Sequence, residues 1–391
     1  MNTLFDDTPI RRGSASYKWD SDADDNMLPL WVADMDFRTA PAILEALRRR
    51  VEHGVFGYTR VPEAYYDAVM QWFRRRHGWE IARESVLYTS GVVPALSAVI
   101  KALTKPGDGV IVQTPVYNCF FSSIRNNGCE VVSNPLRLEQ GAWQIDWGDL
   151  ERKAAAPHVR LLLLCNPHNP VGRVWTREEL AALAELAQRY GLTIISDEIH
   201  GELVYAPHRY TPLGSLGADI RQRSISCVSA SKAFNIAGLQ IANIIAEDAA
   251  MRRRIDRALN INEVCDVNPF GVCATIAAYN ESGEWLDRLL DYLAGNRDTL
   301  CAYCREHLPE FPLSRIECTY LAWMDCRALG LSSGELDKAL RARVALRLSP
   351  GSIYGPEGEG YMRWNFACPR SRLLEGLERF RRFVREQTAR H

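Results

Sequence analysis

The chain has 391 residues, 47% hydrophobic and 24% charged, enough for a large globular domain and a second, smaller one. Its 47 basic and 48 acidic residues leave a formal net charge of −1, which argues against nucleic acid or an anionic membrane surface as a partner. No run reaches the ~18–20 apolar residues of a spanning helix, and the acidic N-terminus MNTLFDDTPIRRG lacks a signal peptide's apolar stretch.

Residues 1–40 read as irregular and carry LPLWVADMDF, Leu28 to Phe37. Pro41 to His53 and Glu63 to His77 are predicted helices. Val86 to Thr89 is a predicted strand, followed by Ser90-Gly91-Val92-Val93-Pro94 and a helix to about Leu103. Gly109 to Gln113, Cys129 to Val132 and Arg160 to Cys165 are further strands. The last is a near-continuous apolar run, as a strand covered on both faces requires. A helix over about Arg177 to Tyr190 begins on a Thr176/Glu179 capping box and stops at Gly191. Leu192 to Ser196 and Ser224 to Val228 are the next strands.

This alternation predicts an α/β fold whose mostly parallel central sheet carries helices on both faces. From Asn280 the chain is helix-rich, with a second small sheet expected around Tyr320 to Asp325, Ala345 to Leu348 and Met362 to Phe366. A large domain over 41–285 is expected. The arm 1–40 folds back onto a smaller α/β domain, 286–391. The 11 cysteines are scattered, with one CxxC pair at Cys301 and Cys304, and are expected as reduced thiols in a cytoplasmic protein.

In open parallel sheets ligands bind beyond the carboxyl ends of the strands. Four polar segments fall there: Ser90 to Pro94, Asn166-Pro-His-Asn169-Pro170, Ser196-Asp197-Glu198 and Ser229-Ala-Ser231-Lys232. A lysine that forms a Schiff base with an aldehyde cofactor needs desolvation or a cationic neighbour. The ring nitrogen of pyridoxal phosphate needs a carboxylate, and its phosphate needs N–H groups at a helix start together with hydroxyls. Lys232 suits the first task and Asp197 the second. Gly91, Val92, Val93, Ser229 and Ser231 suit the phosphate. Asp197, Glu198 and His200 are not read as metal ligands, because successive strand residues point to opposite faces. Cys119 and Cys165 read as packing thiols and His168 as a turn residue. Trp31, Asp34 and Asp36 fit either a place near substrate or arm packing.

At these residues the chain resembles the aspartate-aminotransferase-like pyridoxal-phosphate enzymes of fold type I, and more narrowly the MalY/PatB branch of cystathionine β-lyases. The resemblance runs through WVADMDF (Trp31 to Phe37), HGVFGYTR (His53 to Arg60), TPVYNCF (Thr114 to Phe120), CNPHNPVGRVWT (Cys165 to Thr176), SDEIHGEL (Ser196 to Leu203), SASKAFN (Ser229 to Asn235) and MRWNFACPR (Met362 to Arg370). It implies Lys232 as the Schiff-base lysine, Asp197 as the ring-nitrogen partner and Asn169 as a donor to the cofactor's phenolic oxygen. It implies Tyr117 stacked on the ring, Tyr58 reaching the phosphate region of a neighbouring subunit's site, and Arg363 on the substrate carboxylate. Substrate contacts are implied for Arg363, Asn169, Tyr58 and Ala33.

Two positions depart from the wider pattern. His200 stands where a tyrosine is usual, and Gln240 where an arginine binds the phosphate. The implied activity is α,β-elimination from a sulfur-bearing L-amino acid such as cystathionine, by a cytoplasmic homodimer with shared active sites. An aminotransferase is the alternative, since it shares every step through α-proton removal. The resemblance also leaves open a regulatory protein partner, while the chain has no spare length for an appended DNA-binding domain.

Overall fold

The computed structural model describes residues 4–261 and 267–388. Seven strands form the central sheet: β1 (Val86–Thr89), β2 (Gly109–Thr114), β3 (Glu130–Pro135), β4 (Val159–Cys165), β5 (Thr193–Asp197), β6 (Ser224–Val228) and β7 (Ala242–Ile245). Their order is β1-β7-β6-β5-β4-β2-β3. β7 runs antiparallel to both neighbours, and every other pairing is parallel. β2, β6 and β7 are buried along their whole length, so both faces are covered and most of their side chains are apolar, with Gln113, Thr114, Ser224, Ser226 and Asn243 the buried polar ones.

The covering helices include α1 (Pro41–Glu52), α2 (Glu63–His77), α3 (Val92–Leu103), α4 (Arg177–Arg189) and α5 (Pro269–Glu281). The expected box at the start of α4 forms in both directions. Thr176 Oγ1 accepts from the Glu179 N–H at 3.2 Å, and Glu179 Oε2 accepts from the Thr176 N–H at 2.7 Å. Gly191 then turns the chain at φ +67° into β5.

The long helix α6 (Gly283–His307) leads to a second sheet of β8 (Leu321–Asp325), β9 (Ser349–Pro350) and β10 (Tyr361–Asn365), with α7 (Ser333–Val344) and the terminal α8 (Arg370–Thr388) beside it. Residue 285, where a change of domain was expected, lies in the first turn of α6. The segment expected as one strand over Ala345 to Leu348 is divided instead. Leu346–Arg347 pairs in parallel with Leu28–Pro29 of the arm, and the following Ser349–Pro350 joins β10. Ala345, in the left-handed region at φ +50°, turns the chain between α7 and this run.

Charges fasten the arm to the C-terminal part. Asp22 meets Arg341 at 2.7 Å and Arg347 at 2.8 Å. The buried Asp36 carboxylate takes Arg372 at 2.7 Å, Arg11 at 2.9 Å, Lys18 at 3.1 Å and the Trp19 indole N–H at 2.9 Å. Burial opposes its ionisation, but Lys18, Arg372 and the Trp19 hydrogen bond hold its carboxyl down at about 2. Among the described residues no helix is long and apolar enough to cross a membrane.

Candidate active site

A cavity of about 510 Å³ opens where β1, β4 and β5 end, in the position that a parallel sheet reserves for ligands. Gly91, Val92, Val93, Tyr117, Asn169, Asp197, Ser231, Lys232, Arg363 and Ala33 all line it. Of the expected site residues, Ser229 and Tyr58 do not.

Lys232 Nζ donates to the Ala33 carbonyl at 2.6 Å. Burial pushes its amine down to about 8, Arg363 adds to the effect, and Asp34 and Asp197 oppose it. An amine with that value is neutral in about one molecule in ten at pH 7, against far fewer for an unperturbed lysine, and the neutral form is the nucleophile. Asp197 ends β5, opposite Cys165 and Cys227 of the flanking strands. The one hydrogen bond to its carboxylate among the described residues comes from the Ile199 N–H at 3.1 Å. Burial, with Glu198 adjacent, raises its carboxyl to about 7 against that hydrogen bond and Lys232. The neighbouring Glu198 turns elsewhere and is satisfied by Ser196 Oγ at 2.8 Å, the Tyr210 hydroxyl at 2.6 Å and the Leu213 N–H at 2.9 Å.

Arg363 lies in β10, only 5% exposed. Its Nη1 donates to Asn169 Oδ1 at 3.1 Å and its Nη2 to the Trp31 carbonyl at 2.9 Å, and its guanidinium sits 4.9 Å from the Tyr354 ring centre. Nε has no partner, and among the described residues no carboxylate pairs with this buried cation. That is the condition of a group awaiting an anion. Asn169, with Oδ1 occupied by Arg363, keeps its amide NH2 for another acceptor.

Gly91 to Val93 begin α3, and the first N–H groups of a helix have no acceptor within it. The Ser231 hydroxyl has no hydrogen bond among the described residues. Together these form an anion cradle. Ser229 departs from the expectation: its hydroxyl donates to the Ile241 carbonyl at 2.6 Å and accepts from the Ser231 N–H at 3.1 Å, so it shapes the turn. Gln240 lines the cavity without charge. His200 is buried, which pushes its imidazole down to about 3 with Lys232 and Arg363 contributing, so the ring stays neutral. Burial raises the Tyr117 hydroxyl far above the usual phenol range, and its ring is left as a flat wall of the cavity. Tyr58 is 97% exposed. His168 is buried in a turn, with Nε2 2.9 Å from the Pro115 carbonyl.

Several contributors lay beyond the sequence reading. Asn235 clamps the arm to the lysine segment: its Nδ2 donates to the Met35 and Phe37 carbonyls at 3.0 and 2.8 Å, and its Oδ1 accepts from the Met35 N–H at 3.0 Å. The Tyr320 hydroxyl donates to the Ala33 carbonyl at 3.0 Å, the same oxygen that holds Lys232. Ala33 therefore acts through its backbone. Trp31 lines the cavity, whereas the Asp34 and Asp36 carboxylates are taken up with Arg11 and Lys18 of the arm. An asparagine directly after SASKAF, a residue type that tolerates the left-handed region it occupies at φ +54°, was the one sign in the sequence.

The donor set fits pyridoxal phosphate: an amine for the aldehyde, a buried carboxylate for the ring nitrogen, an aromatic wall and an anion cradle at a helix start. The family model for aminotransferase class I and II matches residues 25–380. Cystathionine beta-lyase PatB of Bacillus subtilis strain 168 is 43% identical over 96% of this chain and 98% of its own. A PLP-bound putative aminotransferase from Clostridium difficile 630 superposes with a TM-score of 0.95, at 38% identity, over 97% of this chain and 99% of that one. A PLP-bound C–S lyase from Staphylococcus hominis superposes with a TM-score of 0.92, at 30% identity, over 98% and 99%.

Proposed function

The chain belongs to the aminotransferase class I and II family, and we propose that its cavity performs α,β-elimination on a sulfur-bearing L-amino acid such as cystathionine. The products are a thiol, pyruvate and ammonia. The protein is a pyridoxal-phosphate-dependent carbon–sulfur lyase, in keeping with its likeness to PatB and to the staphylococcal C–S lyase across nearly the whole chain. The observation that carries the residue assignment is a lowered amine at Lys232 and an ion-pair-free arginine at Arg363 in one cavity.

When bound, pyridoxal phosphate supplies the electron sink that makes the substrate's α-proton acidic. Lys232 is the attachment point, and as a neutral amine its Nζ takes the α-proton. Asp197 would keep a proton on the ring nitrogen, whose positive charge would restore the ionised carboxylate that burial disfavours. Gly91, Val92, Val93 and Ser231 would hold the phosphate, the Asn169 amide would donate to the phenolic oxygen, and Tyr117 would cover the ring. Arg363 orients the substrate carboxylate with its unoccupied N–H groups, a fork geometry that lysine lacks. Ala33 and Tyr320 hold the resting amine through one shared carbonyl.

The assembly in this reading is a cytoplasmic homodimer, in which the exposed Tyr58 reaches the phosphate region of a second copy's site. The large domain spans 41–285, with α6 leading into the smaller one. Partner binding that survives Lys232→Ala would mark a separate regulatory surface.

The test incubates the holoenzyme with L-cystathionine and measures pyruvate and free thiol. Equal amounts of both are expected, turnover after turnover. Conversion of a keto acid to an amino acid, without thiol release, would favour an aminotransferase.

A further inference from the structure

Cys119 has no part in the reaction above, yet it lines the same cavity as Lys232 and Arg363. Among the described cysteines three are partly exposed: Cys119, Cys273 and Cys301. Cys273 borders a separate depression beside Arg49 and Arg50, and Cys301 lies on α6. Cys119 shares the cavity wall with Lys232, Tyr117 and Tyr354. Arg363, 5% exposed and with Nε unpartnered, gives the same space a seat for a carboxylate. A reagent carrying both an amino-acid carboxylate and an electrophilic sulfur would therefore meet the thiol while anchored.

We propose that Cys119 is a site of reversible mixed-disulfide formation with amino-acid disulfides, seated by their carboxylate on Arg363. The inference rests on the lyase reading for which disulfide matters: cleavage of cystathionine releases homocysteine, whose oxidised form is such a disulfide. The Cys119 thiolate attacks one sulfur of R–S–S–R. A bond forms between Sγ and that sulfur, the old S–S bond breaks, and RS⁻ departs and takes up the proton that Cys119 released. Cys119 is oxidised, one half of the incoming disulfide is reduced, and no other oxidant enters. The attached half occupies the cavity beside Tyr117 and Lys232 and shuts out substrate until a thiol removes it. Oxidation of the product thus restrains its own formation. The disulfide itself is not consumed by β-elimination, because its sulfur sits on the γ-carbon.

The test treats the holoenzyme with L-homocystine and follows each cysteine peptide by mass. The Cys119 peptide should gain one homocysteine residue, lose it to dithiothreitol, and gain none in Cys119→Ser. It should react about tenfold faster than Cys273 and Cys301, and about tenfold faster with homocystine than with cystamine, which has no carboxylate. No adduct at Cys119, a rate equal to the other two thiols, or equal rates with the two disulfides would overturn the proposal. Pyruvate release from cystathionine, measured on the untreated protein, separates the two ideas. An adduct without pyruvate release refutes the lyase reading alone, and pyruvate release without an adduct refutes the Cys119 site alone.

Discussion

Replacing Arg363 by lysine keeps the positive charge and removes the fork. Arginine has five N–H donors, and here two are committed, to Asn169 Oδ1 and to the Trp31 carbonyl. The remaining three, on Nε and the two Nη atoms, can place two parallel hydrogen bonds on a substrate carboxylate. A lysine has three donors on one atom and offers a carboxylate one good bond, so a charge-assisted hydrogen bond worth about 1.5–3 kcal/mol is lost. That corresponds to a fall in kcat/KM of about 10- to 150-fold. Because the carboxylate is held before and during proton removal, KM should carry more of the change than kcat. Pyruvate release measured across substrate concentration gives both constants, and the visible spectrum of the bound cofactor should be unaltered. A kcat/KM within about twofold of wild type would refute the assignment of the carboxylate to Arg363.

Asp36→Asn takes from Lys18 the nearer of its two carboxylates, leaving Asp34 at 3.5 Å, and takes from Arg372 its 2.7 Å partner, and should destabilise the protein by about 3–5 kcal/mol in urea unfolding at neutral pH. Since the native Asp36 carboxyl is held down at about 2, its stabilisation is present above the unfolded value of about 3.9 and lost as pH falls towards 2. The gap between variant and wild type should therefore narrow by about 2.6 kcal/mol over that range; a gap unchanged with pH would contradict the account. Asn235→Ala removes three hydrogen bonds to the arm and leaves alanine at φ +54°, for a loss of about 2–4 kcal/mol. A loss under about 0.5 kcal/mol would show that the clamp does not fasten the arm. Reloading of cofactor-free protein should speed up as pH rises and level off above about 8, where the Lys232 amine is neutral. A rise continuing to about 10.5 would mean that burial leaves this amine unperturbed.

The parallel strands and their polar ends were legible because a strand covered on both faces is a run of apolar residues that stops abruptly where the ligand begins. Arg160 to Cys165 and Ser224 to Val228 show this, ending at Asn166 and Ser229. β7 was not foreseen. Asn243 interrupts its apolar run, and only the fold shows that this amide is buried to accept the Tyr65 hydroxyl at 2.9 Å. The division of Ala345 to Leu348 between two partners was likewise hidden, since pairing with the arm at Leu28 is a contact over more than 300 residues. Lys232, Asp197, Asn169 and Arg363 were singled out by residue type and motif, and the fold brings all four to one cavity. The support beneath them was not: Tyr320 and the Ala33 carbonyl meet Lys232 only through tertiary packing, and a backbone oxygen leaves no trace in side-chain pattern.

The account stands or falls on one covalent attachment. The cofactor-loaded protein, reduced with borohydride and digested, should yield the peptide around Lys232 carrying the reduced pyridoxyl phosphate. Lys232→Ala should yield no modified peptide and release no pyruvate. A pyridoxyl group fixed on another lysine, or pyruvate release by the alanine variant near the wild-type rate, would contradict it.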